Sequence, residues 1–105
     1  MSLTFAELRD ANIARRRIFA GCDEWTLNDW MTALAGEVGE AANVLKKIRR
    51  GDYTLEDARD ALESELADVQ CYLDLLAYYA DIDLAQATTD KFNHVSKRMN
   101  SAVRL

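Results

Sequence analysis

The chain has no proline, four glycines, one histidine and two cysteines. Without proline, no interior position is forced to give up a backbone donor, so long helices can run unbroken. The lone histidine, His94, leaves a di-iron carboxylate bundle without its Glu-x-x-His pairs, and His94 reads as a surface residue. Cys22 and Cys71 are far apart and show neither metal-type nor redox-type spacing. They read as free thiols of a reducing compartment. No apolar run is long enough to cross a bilayer. Residues 1–20 carry Arg9 and the run Arg15-Arg16-Arg17 without an apolar core, which argues against a signal peptide. A net charge of -5 argues against duplex nucleic acid as a partner. These absences describe a cytoplasmic protein with no membrane partner.

What is present is half hydrophobic and rich in charge, over 105 residues. That length suits a single domain spanning residues 1–105. A helical domain of this size buries a modest fraction of its surface and often completes its core by association.

Four helices can be read along the chain. The first covers residues 3 to about 20, with Thr4 and Glu7 as a capping box and Gly21 as its stop. Leu3, Phe5, Leu8, Ile13, Ile18 and Phe19 are its apolar residues, and Arg15 to Arg17 read as a solvated face. The second opens at Thr26, with Asp29 three later, and stops at Gly51. Its stripe is Leu27, Trp30, Leu34, Val38, Ala41, Val44, Leu45 and Ile48. Lys46, Lys47, Arg49 and Arg50 crowd its last turns, where cations complement the helix dipole. The third runs from Thr54 to about Ala80 over Leu55, Ala58, Leu62, Leu66, Val69, Leu73, Leu76 and Ala80. On it Glu56, Asp57, Asp60, Glu63 and Asp74 read as a solvated face. The fourth is capped by Asp83 and turns Leu84, Thr88, Phe92, Val95 and Met99 inward. Residues 100–105 are expected to fray. The fold class is therefore all-α: an antiparallel four-helix bundle, completed by oligomerisation.

Two acid pairs break the pattern. Glu37 and Glu40 on the second helix, and Glu65 and Asp68 on the third, stand three residues apart, so each pair shares a helix side. Glu37 and Glu65 fall inside apolar stripes; Glu40 and Asp68 lie on the margins. One such pair alone would read as a solvated face. Burying unpaired carboxylates costs on the order of several kcal/mol each, and two matching intrusions point to a divalent cation. Hard cations such as Mg²⁺ and Mn²⁺ take oxygen ligands and share their shell with substrate phosphates. Lys91 and Arg98 share one side of the fourth helix and are candidates to stabilise phosphate charge. Asn93 points elsewhere and is a weaker candidate. Trp25, Trp30 and Tyr72 flank the acids in sequence. They can stack on a nucleobase or simply build core; Trp30 reads first as core, while Trp25 stays open to a base or a subunit contact.

Together these stretches resemble a known family. Glu37-Val38-Gly39-Glu40, then Glu65-Leu66-Ala67-Asp68-Val69 with Tyr72, then Ile82-Asp83-Leu84 and Lys91-Phe92-Asn93 are similar to the MazG-like nucleotide pyrophosphohydrolases, over roughly residues 25–98. The resemblance implies an all-α NTP pyrophosphatase that cleaves a nucleoside triphosphate between the α and β phosphates with Mg²⁺. It implies Glu37, Glu40, Glu65 and Asp68 as metal ligands, Lys91 at phosphate and Tyr72 near the nucleotide. It also implies homodimers or homotetramers. Two departures stand out: Gly36 occupies a position where an additional acid often opens the first motif, and Val95 one where asparagine often follows the lysine. The expected function is Mg²⁺- or Mn²⁺-dependent hydrolysis of surplus or noncanonical (d)NTPs. The alternative is a non-catalytic helical oligomerisation module with a cation or regulatory-nucleotide site.

Overall fold

A computed structural model of the chain describes residues 2–18 and 22–105, Arg17 by its backbone alone. Among the described residues there are four α-helices and no strand. They are α1 (Phe5–Arg15), α2 (Leu27–Arg50), α3 (Leu55–Tyr79) and α4 (Leu84–Arg98), with a 3₁₀ turn at Arg16–Ile18 after α1. The expected first helix is thus shorter as an α-helix, and its predicted Phe19 core position and Gly21 stop lie outside the described residues.

Local chemistry sets the ends. Thr4, Thr26 and Thr54 each accept from the backbone N–H three residues on, while Glu7, Asp29 and Asp57 return to the cap backbone, three complete capping boxes. Asp83 caps α4 by accepting from Gln86 N–H at 3.0 Å. The Gln86 side chain turns to Asp90 instead. Gly51 stops α2 in the left-handed region, φ 91°, and Asp52 N–H donates back to Lys47 carbonyl at 3.0 Å.

The short 51–54 connection folds α2 against α3, and among the described residues this hairpin forms the largest helix–helix contact. α1 lies on the C-terminal half of α3, fastened by polar groups rather than by its loose apolar pattern. Arg9 Nε donates to Asp74 Oδ1 at 3.0 Å, and Asn12 Nδ2 donates to Asp74 Oδ2 at 3.0 Å and to Cys71 carbonyl at 3.2 Å. Asp74 and Asn12 are 2% and 3% exposed. The expectation that Asp74 belongs to a solvated face is therefore wrong. Helix spacing placed it off the α2-facing stripe correctly, but α1 covers that side as well.

The rest of the core is thin. Among the described residues the buried apolar ones are Trp30, Ala41, Ala58, Leu75 and Ala77, three of the five being alanine. Only part of each predicted stripe is packed: Leu27, Val38, Leu45, Leu55, Leu66, Phe92 and Met99 are all exposed. Among the described residues α4 makes no extended contact with α1, α2 or α3. The Cα radius of gyration is 16.5 Å, where a compact domain of this length has about 13 Å. The accessible surface is 7761 Å², roughly 1,800 Å² above that of a compact monomer of this mass.

The C-terminal residues do not fray. Asn100, at φ 58°, turns the chain, Ser101 N–H donates to Ser96 carbonyl at 2.8 Å, and the tail runs back along α4. There the Asn93 side chain donates to Leu105 carbonyl at 3.3 Å and accepts from Leu105 N–H at 2.8 Å. This pairing gives the tail backbone the hydrogen bonds that fraying would have surrendered to water.

Asp74 anchors α1 from a buried position with two donors, so removing it strands a buried amide and a partly covered guanidinium. Asp74→Ala should destabilise the fold by about 2–3 kcal/mol, read as a lowered urea midpoint with an unchanged m-value. A loss below about 0.5 kcal/mol, typical of an exposed pair, would mean that the clamp does not hold α1.

Candidate metal centre

The acid pairs meet across the α2–α3 hairpin. One carboxylate oxygen from each of Glu37, Glu65 and Asp68 lies within 4.8 Å of the others. Glu37 and Glu65 are half-buried and Asp68 is exposed, the inner-and-marginal arrangement expected from the stripes. Glu40 stands outside this tight trio, exposed, but within hydrogen-bonding reach of both Glu37 and Glu65.

This grouping is unfavourable for the protein alone. Glu37 Oε2 and Glu65 Oε2 are both shut off from solvent and have no hydrogen-bond partner. Burial is the main cause that lifts the Glu37 carboxyl above its usual range, with the neighbouring charges of Glu40 and Asp68 adding to it. Glu65 is lifted first by its hydrogen bond with Glu40, then by burial and by the charges of Glu40, Asp68 and Glu37. An oxygen-only donor set of this kind, with two orphaned inner oxygens, fits a hard divalent cation such as Mg²⁺ or Mn²⁺.

An aromatic wall borders the acids. The Tyr72 ring is half-buried, and its hydroxyl is pushed up by burial, then by Glu37, Cys22 and Asp68, while Arg15 opposes the shift. Behind it Trp30 is fully buried, stacked on Tyr79 at 4.9 Å and 6.3 Å from Tyr72. Trp25 packs edge-on over Trp30 at 4.6 Å and keeps 36% of its surface. Trp30 is thus core, as its helical spacing suggested, and Trp25 is the indole with a face to offer.

Arg16 extends this stack from the other side. Its guanidinium lies 5.3 Å and 5.8 Å from the Tyr78 and Tyr79 ring centres and donates to both hydroxyls. The part of Arg16 and Tyr79 was not legible in the basic run: only the fold brings α1 against the end of α3. Tyr79 had a weak signal, lying seven residues after Tyr72 on the same helix side.

The α4 candidates lie apart. Lys91 is exposed and lines two shallow grooves on α4, neither containing an acid of the trio. Arg98 is exposed in the last turn of α4. Asn93, offered as a substrate contact, is engaged with the Leu105 backbone.

Among the described residues the fold is all-helical, with a carboxylate-only cluster on the α2–α3 hairpin. Residues 26–102 match the MazG nucleotide pyrophosphohydrolase domain, and the chain belongs to that family. A relative, Gene 37 protein of Mycobacterium phage L5, is 41% identical over 73 residues, 67% of this chain. The match covers 63% of that relative, so the chain spans less than two thirds of its length.

The raised carboxyls give a signed expectation. A raised folded-state pKa means that the folded chain holds the proton more tightly than the unfolded chain. The associated stability is complete below the ordinary carboxylate value of 4.5 and is lost as pH rises through the raised values of Glu37 and Glu65. In chelator at pH 7, Glu37→Gln should therefore melt above the wild type, and the difference should shrink as pH falls toward 4.5. A variant that melts lower at pH 7 would mean that the Glu37 charge is compensated in the metal-free fold.

Proposed function

We propose that the chain is a Mg²⁺-dependent nucleoside triphosphate pyrophosphohydrolase, using Mn²⁺ as a substitute. It would cleave an NTP or dNTP between the α and β phosphates to the monophosphate and pyrophosphate, removing surplus or noncanonical nucleotides from the cytoplasmic pool. The observation that carries this reading is the pair of orphaned inner oxygens, Glu37 Oε2 and Glu65 Oε2, inside a MazG domain. We take residues 1–105 as one such domain, working as a homodimer or homotetramer without nucleic-acid or membrane partners. Among the described residues no helix is long and apolar enough to cross a membrane.

On this reading Glu37, Glu65 and Asp68, whose carboxylates lie close together, would hold the ion, with Glu40 closing the shell from the margin. A bound divalent ion would neutralise phosphate charge and lower the pKa of a water that attacks phosphorus. Glu40, exposed at the edge of the acids, would accept a hydrogen bond from that water and orient it. The partly exposed face of Trp25, close to Trp30 and Tyr72, offers a stacking surface for the base. Lys91, with Arg98 near it on α4, supplies charge for the phosphates.

The thin core and projecting α4 also suit the competing reading, a helical oligomerisation module whose acids serve only to bind a cation or a regulatory nucleotide. A panel of NTPs and dNTPs with Mg²⁺, scored for pyrophosphate and monophosphate, separates the two. Turnover of at least one nucleotide is expected. Glu40→Gln and Asp68→Asn should each reduce it at least about 100-fold, as loss of a group stabilising the transition state does, without changing the helical circular dichroism. Folded, metal-loaded protein that turns over no nucleotide would leave the module reading in place.

A further inference from the structure

We propose that Arg16 is a positioning residue for the nucleobase: acting through Tyr79 and Trp30, it sets the exposed face of Trp25. Arg16 precedes residues 26–102, which match the family domain, so its part is not carried by that match. This rests on the pyrophosphohydrolase reading only for the base that meets Trp25; the stack stands on its own distances.

The contacts form one continuous stack. Arg16 is the C-cap of α1 and follows Arg9 by seven residues, so the two share a helix side. Both guanidiniums lie against the Tyr78 ring, Arg9 at 5.5 Å and Arg16 at 5.3 Å from its centre. Arg9 is held by Asp74 and by the Ile82 carbonyl. Arg16 instead donates from Nη1 to the Tyr79 hydroxyl at 3.3 Å and from Nη2 to the Tyr78 hydroxyl at 3.4 Å. Its planar fork holds two hydroxyls in a fixed geometry, which an ammonium on a flexible stem does not. The two bridged rings meet edge to face at 5.1 Å. Tyr79 then lies nearly parallel to Trp30, 4.9 Å away with 14° between the planes, and Trp25 stands edge-on against Trp30 at 4.6 Å. Trp30 is fully buried, and its Nε1 has no hydrogen-bond partner among the described residues. Ring packing therefore fixes the plane of Trp30, and that plane fixes the angle at which Trp25 meets solvent. A base feels that angle, because aromatic pairs are favourable only in defined offset and edge geometries. The stack is built from rings and a guanidinium, the metal centre from carboxylates. Loss of Arg16 should thus weaken nucleotide binding and spare the metal.

The test compares full-length wild type, Arg16→Gln, Trp25→Ala and the double variant by isothermal titration in Mg²⁺. The probes are α,β-methylene analogues of the common NTPs and dNTPs, which resist cleavage between the α and β phosphates. The wild type should bind at least one of them, since stacking tolerates any base. Arg16→Gln should weaken the best-bound analogue about 3–10-fold, as loss of a cation–π contact does. Trp25→Ala should weaken it about 10-fold or more. The double variant should lose no more than Trp25→Ala alone, because Arg16 acts through Trp25. Mn²⁺ affinity should match the wild type in both single variants, and Arg16→Gln should change the near-ultraviolet circular dichroism of the rings without changing helicity. If Arg16→Gln loses helicity, Tyr79→Phe decides: it keeps the ring, removes the hydroxyl acceptor and should weaken the analogue in the same direction. Unchanged affinity in the deciding variant, additive losses in the double variant, or a parallel loss of Mn²⁺ affinity overturns the proposal, as does a wild type that binds no analogue. If the analogues behave as expected while no nucleotide is turned over, the pyrophosphohydrolase reading falls and the placement of Trp25 by Arg16 stands.

Discussion

Two carboxylates facing each other across a helical hairpin set the terms for this molecule. Glu37 and Glu65 come from different helices, and each has an oxygen that neither water nor a hydrogen-bond donor reaches. Leucine at either place would complete an ordinary stripe. The acids instead leave like charges close together, with Asp68 in the same trio and Glu40 at its edge. The α2–α3 hairpin is therefore both the principal packing unit of the chain and its principal electrostatic strain. A hard divalent cation is the simplest species that relieves that strain, since each carboxylate has oxygen lone pairs directed at nothing else.

The surrounding structure bears on whether those side chains can hold their positions. Trp30, stacked on Tyr79 and beside Tyr72, packs the region between the N-terminal turns of α2 and the C-terminal turns of α3. Arg16 lies over Tyr79 from the far side. Asp74 draws in Arg9 and Asn12, so α1 braces the half of α3 that follows the acids. The core between these supports is thin, and α4 extends away with its apolar residues uncovered. A single chain brings its acids together while leaving many of its apolar residues exposed.

Much of this was legible in the residues. The capping pairs at Thr4, Thr26 and Thr54 and the glycine at position 51 marked helix ends to within a residue or two, because those signals are local. The juxtaposition of Glu37, Glu65 and Asp68 followed from helical spacing and a short connection, again local rules applied twice. Asp74 was misread because its environment is set by α1, 62 residues earlier at Asn12, and no periodicity within α3 reports that cover. The C-terminal tail was misread for a related reason: its order depends on Asn93, twelve residues back. Periodicity also overstated the core. It identifies which face is apolar but not which molecule covers it, so Val38, Leu66 and Phe92 read as interior and stand exposed.

The central claim is that the hairpin acids form one divalent-cation site. Titrating Mn²⁺ into the protein and following free Mn²⁺ by electron paramagnetic resonance tests it directly. Saturable removal of the free signal is expected, one site per chain at minimum. Its midpoint should tighten as pH rises from 5 to 7, because the raised carboxyls of Glu37 and Glu65 must lose their protons to bind. Mn²⁺ that stays free at neutral pH, or that binds equally well to a Glu37→Gln, Glu65→Gln double variant, would contradict the claim.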